Sequence, residues 1–337
     1  MTPAQKPIAV TMGEPSGIGG EITLRSWRRR NDLSVPFVAI DNPDRLRNIA
    51  HDLGFSVPIE TVIDPRCAAD LFPDALPVCS IDLPCTPQPG VLNQSNANAA
   101  IASIDKAVDL ATANSVSAIV TNPIHKHNLY CAGFTYPGHT EYLAHLSGAN
   151  KEPVMMLACD GLRTVPITTH LSLKEAIGEL SIERIVSQSR ITARALEQDF
   201  GVSAPRLAVA GLNPHAGEDG AIGSEEGRFI SPAIDILRQN GLQVFGPLSP
   251  DAMFSATTRT TYDAAICMYH DQALIPIKTL DFSGGVNVTL GLPFVRTSPD
   301  HGTALDIAGK GIADETSMVA ALRMASEVAR FRSVTTQ

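Results

Sequence analysis

Residues 98–123 read NAAIASIDKAVDLATANSVSAIVTNP. In residues 98–114 the apolar side chains recur at helical spacing. SAIVTNP (117–123) is a short apolar run of strand type. A helix that feeds directly into a strand is the joint of a βαβ unit, and the same joint recurs on both sides of this stretch. KPIAVTM (6–12) reads as a strand before the helix GGEITLRSWRRR (19–30), and PFVAI (36–40) as a strand before the helix DRLRNIAHDLG (44–54). PVCSIDL (77–83), PVMMLAC (153–159) and RTVPITTH (163–170) are strand-like, and ERIVSQSRITARALEQDFG (183–201) is a helix. RLAVAGLNPH (206–215), DAAICMYH (263–270) and GVNVTLG (285–291) continue the strands, and DETSMVAALRMASEVARFR (314–332) closes the chain as a helix. The expected class is α/β, with mainly parallel sheets flanked by helices.

Length and composition bound the function. The 337 residues fit two domains, and 44% hydrophobic residues suffice for a sizeable core. A formal net charge of −9 argues against nucleic-acid binding, which needs a basic footprint. An anionic ligand must then be captured by particular Lys and Arg side chains. The six cysteines show no C-x-x-C spacing and read as mostly buried, reduced thiols. No basic leader with an apolar core opens the chain, and no apolar run reaches the ~18 residues of a membrane span. A cytoplasmic protein is expected. LPCTPQPG (83–90) reads as a surface connection, and the chain is expected to cross between domains near residues 125 and 295.

Three histidines share a context. His170, His215 and His270 each follow an apolar strand, at the end where open α/β sheets gather ligands. Three imidazoles with room for water and a substrate oxygen would make an open divalent-metal site; ordinary polar strand ends would look the same. PGHTEY (137–142) places His139 and Thr140 at a helix start, where free N–H groups favour anions or where Thr simply caps the helix. Lys278 ends the apolar run DQALIPIK, a position that calls for an anionic partner. Asn287 and Arg296 are polar residues in apolar surroundings, and Arg can fork onto phosphate or carboxylate. TMGEPSGIGGE (11–21) is a Gly-rich strand-to-helix turn lacking the G-x-G-x-x-G and G-K-[ST] patterns.

Together, VTMGEPSGIGGE, VTNPIHK, GHTEY, TTHLSL, GLNPHAGEDGAIGSEE, MYHDQALIPIK and GVNVTLGLPFVRTSPDHGTALDIAGKG resemble the 4-hydroxythreonine-4-phosphate dehydrogenase (PdxA) family of vitamin B6 biosynthesis over nearly the whole chain. The resemblance implies metal ligands at His170, His215 and His270, and substrate contacts at His139, Thr140, Lys278, Asn287 and Arg296. It implies a homodimer whose site lies at the subunit interface. The fold implied is that of isocitrate and isopropylmalate dehydrogenases, with the active site in the interdomain cleft. Residues 1–125 with 296–337 would then form the NAD-binding side, and residues 126–295 the metal, substrate and dimerisation domain.

HGTALDIAGKGIAD (301–314) also resembles the loop by which those dehydrogenases wrap the adenosine half of NAD. His301, Gly302, Thr303, Ala304, Asp306, Ile307 and Gly309 are its implied cofactor contacts. A carboxylate at Asp306 would accept from a ribose 2′-hydroxyl and repel a 2′-phosphate, favouring NAD over NADP. Leu305 stands where the wider group has Pro, and Asp314 where it often has the Asn that contacts adenine.

The implied reaction is metal-dependent, NAD-linked oxidation of 4-phosphooxy-L-threonine, a small phosphorylated substrate, to 2-amino-3-oxo-4-phosphooxybutanoate. That product then decarboxylates to 3-amino-2-oxopropyl phosphate. Three imidazoles suit Zn²⁺ or Co²⁺ better than Mg²⁺. Lys278, Asp271 and a metal-bound water are the candidate proton acceptors. A related dehydrogenase acting on D-threonate 4-phosphate or on a dihydrodiol is the alternative. A metallohydrolase would use the histidines but leave residues 301–314 without a role.

Overall fold

A computed structural model describes residues 6–148 and 152–335. The chain opens with β1 (Ile8–Thr11), α1 (Gly19–Arg28), β2 (Phe37–Asp41), α2 (Pro43–Asp52), β3 (Ile59–Thr61), α3 (Ala68–Leu71) and β4 (Leu76–Ser80). It continues with α4 (Ala97–Thr112), β5 (Ala118–Val120), α5 (Lys126–Cys131) and α6 (His139–Leu146). Next come β6 (Val154–Cys159), β7 (Leu162–Pro166), α7 (Leu173–Gly178), α8 (Ile182–Phe200), β8 (Arg206–Ala210), α9 (Ser231–Gln239), β9 (Gln243–Leu248), α10 (Pro250–Met253), β10 (Ala264–Cys267), α11 (His270–Leu280) and β11 (Val286–Leu290). Strand β12 (Arg296–Pro299) and helix α12 (Thr316–Thr335) end it.

The described residues fall into two compact units. One runs to Pro153 and resumes at Leu292–Arg330; the other holds Val154–Gly291 and the chain from Phe331 onward. In the first unit the strand order is β3-β4-β2-β1-β5-β12. Every neighbouring pair is parallel. Parallel sheets are covered on both faces, and β1 and β2 are accordingly buried at every position instead of alternating. Helix α4 packs over β1, β2 and β5, and its Ile104 joins Met12, Ile40 and Ile119 in the core.

In the second unit the order is β11-β6-β7-β10-β8-β9. Strands β7, β10, β8 and β9 run parallel, while β6 is antiparallel to both β7 and β11. Its core gathers Leu157, Ala208, Met253, Ala265 and Ile277.

Several expectations shift. The first division falls at residues 153/154, not near 125; the second falls at 291/292, close to the expected 295. Residues 126–148 stay with the first unit because Leu129, Phe134, Tyr142 and Leu143 are buried in its core. DQALIPIK is helical, as part of α11. The six cysteines are all free, but only Cys79 and Cys267 are buried; Cys67, Cys85 and Cys131 are exposed. Among the described residues no helix is long and apolar enough to cross a membrane.

Ile119 sits fully buried between β1 and β12. Ile119→Ala should lower unfolding stability by about 2–5 kcal/mol through the lost methylenes and the cavity left behind. Urea titration with an unchanged m-value checks this; a loss below ~1 kcal/mol would show that the neighbours collapse into the space.

Candidate active site

Strands β7, β10 and β8 are adjacent and parallel, so their C-terminal ends share one edge of the second unit. The segments leaving that edge carry His170, His270 and His215. Polar bonds tie them together: Thr168 Oγ1 donates to the Met268 carbonyl at 2.8 Å, and Met268 N–H donates to Gln272 Oε1 at 2.6 Å. Gln272 Nε2 in turn donates to the Gly211 carbonyl at 2.8 Å. The buried Gln272 therefore links the segment before His270 to the one before His215.

The rings of His170 and His270 lie 5.7 Å apart, centroid to centroid. They line a cavity of about 210 Å³ with Thr168, Leu173, Tyr269 and Asp271. Two imidazoles at that separation can reach a common ion, whose N–metal bonds are about 2.0–2.1 Å. His270 Nδ1 lies 2.7 Å from Asp271 Oδ1. This hydrogen bond fixes the ring and leaves Nε2 for a ligand, the usual outer partner of a metal-binding histidine. Asp271, a candidate proton acceptor from the sequence, is thus engaged in orienting His270. His215 does not join the pair, and among the described residues no group of three His, Cys, Asp or Glu side chains could hold a metal ion. One chain brings two of the three imidazoles together.

His215 occupies an unusual backbone. His215, Ala216, Gly217, Glu218 and Asp219 all have positive φ, from 41° to 81°, in a left-handed turn within Pro214–Gly220. His170 is also left-handed, at φ 50°. Left-handed geometry costs roughly 1–2 kcal/mol per non-glycine residue and occurs mostly at isolated positions. Held strain of this kind gathers at functional sites.

Lys278 lies in the last turn of α11, not at a buried strand end, with Nζ 5.1 Å from the centre of the Phe282 ring. Asn287 is on β11 opposite Leu157, and its Oδ1 is shielded from solvent with no hydrogen-bond partner among the described residues.

In the first unit Arg296 opens β12 and is 4% exposed. Its Nη2 donates to Thr121 Oγ1 at 2.6 Å. Burial draws the guanidinium down to about 10, opposed by the Glu141 carboxylate, so it remains charged at neutral pH. His139 is the first residue of α6, whose N-cap is Gly138 with no side-chain cap; Thr140 follows, half-buried. The His139 pKa lies well below 6.5, first because of burial, then because of the nearby positive Arg296 and Lys126. Its Nε2 is shielded from solvent and has no hydrogen-bond partner among the described residues. A buried cation, a neutral imidazole and a helix start make a receptor for an anion. Lys126 and Glu141 were not singled out from sequence, although both lie in quoted motifs.

Residues 301–311 lie on the turn between β1 and α1. Ile18 N–H donates to the Thr303 carbonyl at 3.1 Å. A Cβ on Gly17 would sit 2.8 Å from that same carbonyl oxygen, so only glycine permits the approach. Arg25 donates to the Gly311 carbonyl, and Ala313 N–H donates to Glu21 Oε1 at 3.1 Å. Asp306 is exposed, Ala304 holds φ 44°, and His301 Nδ1 lies 3.0 Å from the Gly302 carbonyl oxygen. The loop is thus fixed from behind while its carboxylate is accessible.

The chain was compared with known proteins. A family model described as "Pyridoxal phosphate biosynthetic protein PdxA" matches residues 32–325. A 4-hydroxythreonine-4-phosphate dehydrogenase of Erythrobacter litoralis is 50% identical over 331 residues, covering 98% of each chain. One of Bradyrhizobium diazoefficiens is 49% identical over 338 residues, covering 97% of this chain and 98% of the relative. The crystal structure of 4-hydroxythreonine-4-phosphate dehydrogenase from Klebsiella pneumoniae superposes with a TM-score of 0.87 at 38% identity, covering 96% of this chain and 100% of that one.

The depressed pKa of His139 has a measurable consequence. In the unfolded chain this imidazole titrates near 6.5; in the folded site it stays neutral well below that. The native state then binds fewer protons, so stability is lost as pH falls below about 6.5 and the loss stops growing at the folded pKa. His139→Asn should show a smaller fall in Tm than wild type between about pH 7.5 and about pH 5. Parallel melting curves across that range would refute the assignment.

Proposed function

Because the chain belongs to the PdxA family, whose model spans most of its length, we propose that it is an NAD-dependent 4-hydroxythreonine-4-phosphate dehydrogenase. The substrate is 4-phosphooxy-L-threonine. Its C3 hydride passes to NAD⁺ and its 3-hydroxyl proton to a base, giving NADH and 2-amino-3-oxo-4-phosphooxybutanoate. The β-keto acid then loses CO₂ and takes up a proton to give 3-amino-2-oxopropyl phosphate. The observation that carries this reading is the buried Arg296 beside neutral His139 at the start of α6. It is a receptor for one of the two anionic groups of such a substrate. Thr140, Lys278 and Asn287 complete the substrate contacts.

His170 and His270 would hold a divalent ion, Zn²⁺ or Co²⁺ in preference to Mg²⁺, with His215 supplied by a second copy of the chain. Such an ion, when bound, supplies Lewis acidity toward the 3-hydroxyl oxygen. Two observations support a second copy: one chain groups two imidazoles, not three, and Leu171, Leu173 and Ile177 beside the pair are exposed. Asp271 orients His270, which leaves Lys278 the stronger candidate for proton acceptor. His301, Gly302, Thr303, Ala304, Asp306, Ile307 and Gly309 hold the adenosine half of NAD. The enzyme works in the cytoplasm.

The test is NADH formation by metal-stripped and metal-reloaded protein with 4-phosphooxy-L-threonine and, separately, D-threonate 4-phosphate. Metal-dependent turnover of the first alone is expected. Turnover of the second alone would move the protein to another phosphorylated hydroxy acid. His170→Ala should abolish turnover while NAD still binds; loss of NAD binding as well would reduce His170 to a folding role.

Asp306→Ala should narrow the preference for NAD over NADP, read as kcat/KM, by on the order of tenfold. An unchanged ratio would remove Asp306 from the 2′-hydroxyl.

A further inference from the structure

The left-handed turn that carries His215 needs something to hold it. Four of its five left-handed residues are not glycine, and such a run does not persist by local preference. The surroundings supply two carboxylates: Glu225 Oε2 accepts from the Asn213 side chain at 2.9 Å, and Glu226 alone takes the backbone donors. Glu226 is 6% exposed and opens a π-helical turn, Glu226–Ile230, that leads into α9. Its Oε1 accepts from Leu212 N–H at 2.9 Å and from Asn213 N–H at 2.7 Å. Its Oε2 accepts from Asn213 Nδ2 at 2.9 Å. The two backbone donors are those released where β8 has ended and the turn has not begun. Glu226 also closes on the turn from the other side: a Cβ on Gly217 would lie 2.6 Å from Oε2, and Gly217 holds φ 81°. The carboxylate is therefore enclosed between the entry to the turn and its middle.

We propose that Glu226 is the positioning residue for His215, its carboxylate holding the left-handed turn in the one shape that presents this imidazole. The proposal rests on the reading of His215 as an active-site ligand. Glu226 touches no substrate; it acts through residues 212–217. A carboxylate suits the task because both oxygens accept, and all three groups that meet it are N–H donors. In Glu226→Gln the amide oxygen can still take the two backbone N–H bonds, while Asn213 Nδ2 keeps its bond to Glu225 Oε2. Glu226→Ala leaves the two backbone donors without an acceptor.

Hydrogen exchange of the metal-reloaded enzyme and steady-state kinetics with 4-phosphooxy-L-threonine test this together. Glu226→Ala should speed amide exchange in residues 212–221 and lower kcat between roughly 10- and 100-fold, with KM for NAD unchanged. Glu226→Gln should recover most of both. Gly217→Ala, which drives a methyl into the same carboxylate, should reproduce the alanine variant, and it carries the test if Glu226→Ala does not fold. Unchanged exchange in residues 212–221 of both Glu226→Ala and Gly217→Ala would overturn the proposal. So would an alanine variant whose kcat equals wild type while His215→Ala is inactive. If His215→Ala itself keeps wild-type kcat, the reading of His215 fails and the proposal falls with it, whatever the exchange shows.

Discussion

A buried guanidinium sets the terms for the first unit. Arg296 enters the sheet at the start of β12, opposite Ile119 of β5, and is almost fully enclosed. An enclosed cation costs several kcal/mol unless its surroundings answer it. The Thr121 hydroxyl and the field of Glu141 do so from neighbouring elements. Burial first, and then the same charge together with Lys126, keeps His139 neutral. Charge, imidazole and helix start are thus one electrostatic unit, built on the pairing of two parallel strands and not on a mobile loop. The net charge of −9 need not oppose an anion at such a site, where the field is local and desolvated.

The second unit solves a different problem with the same geometry. Parallel neighbours bring three strand ends to one edge, but strand ends alone do not aim side chains. Hydrogen bonds from Thr168 to Met268 and from Met268 through Gln272 to Gly211 lock the outgoing segments to each other. Within that frame His170 and His270 converge, while His215 is carried off on its left-handed turn. On the other side of β7 lies β6, antiparallel to both β7 and β11.

Much of the α/β order could be read from the chain. Long amphipathic segments such as α4 and α8, and apolar strands such as β5 and β10, lie within a few residues of their expected positions. What could not be read has physical causes. Strand β12 is RTSP, with no apolar alternation, and owes its strand form to pairing, as with β5. HDQALIPIKTL looked like an apolar run because Pro276 interrupts its helical pattern. The histidine positions were legible as strand ends, but their conformations were not: five consecutive left-handed residues, four with side chains, contradict local preference. Lys126, Glu141 and Gln272 take their roles from tertiary neighbours.

The close contact between residues 301–311 and the β1–α1 turn bears on how such a loop can be moved between proteins. Its conformation is not stored in its own sequence alone. Ile18, Gly17, Arg25 and Glu21, nearly three hundred positions away, supply the backbone bonds and the empty space against which it lies. A graft of the loop alone into a foreign scaffold would carry the contact residues without the surface that shapes them. The transferable part is the pair of segments, and a chimaera must exchange both ends of the chain at once.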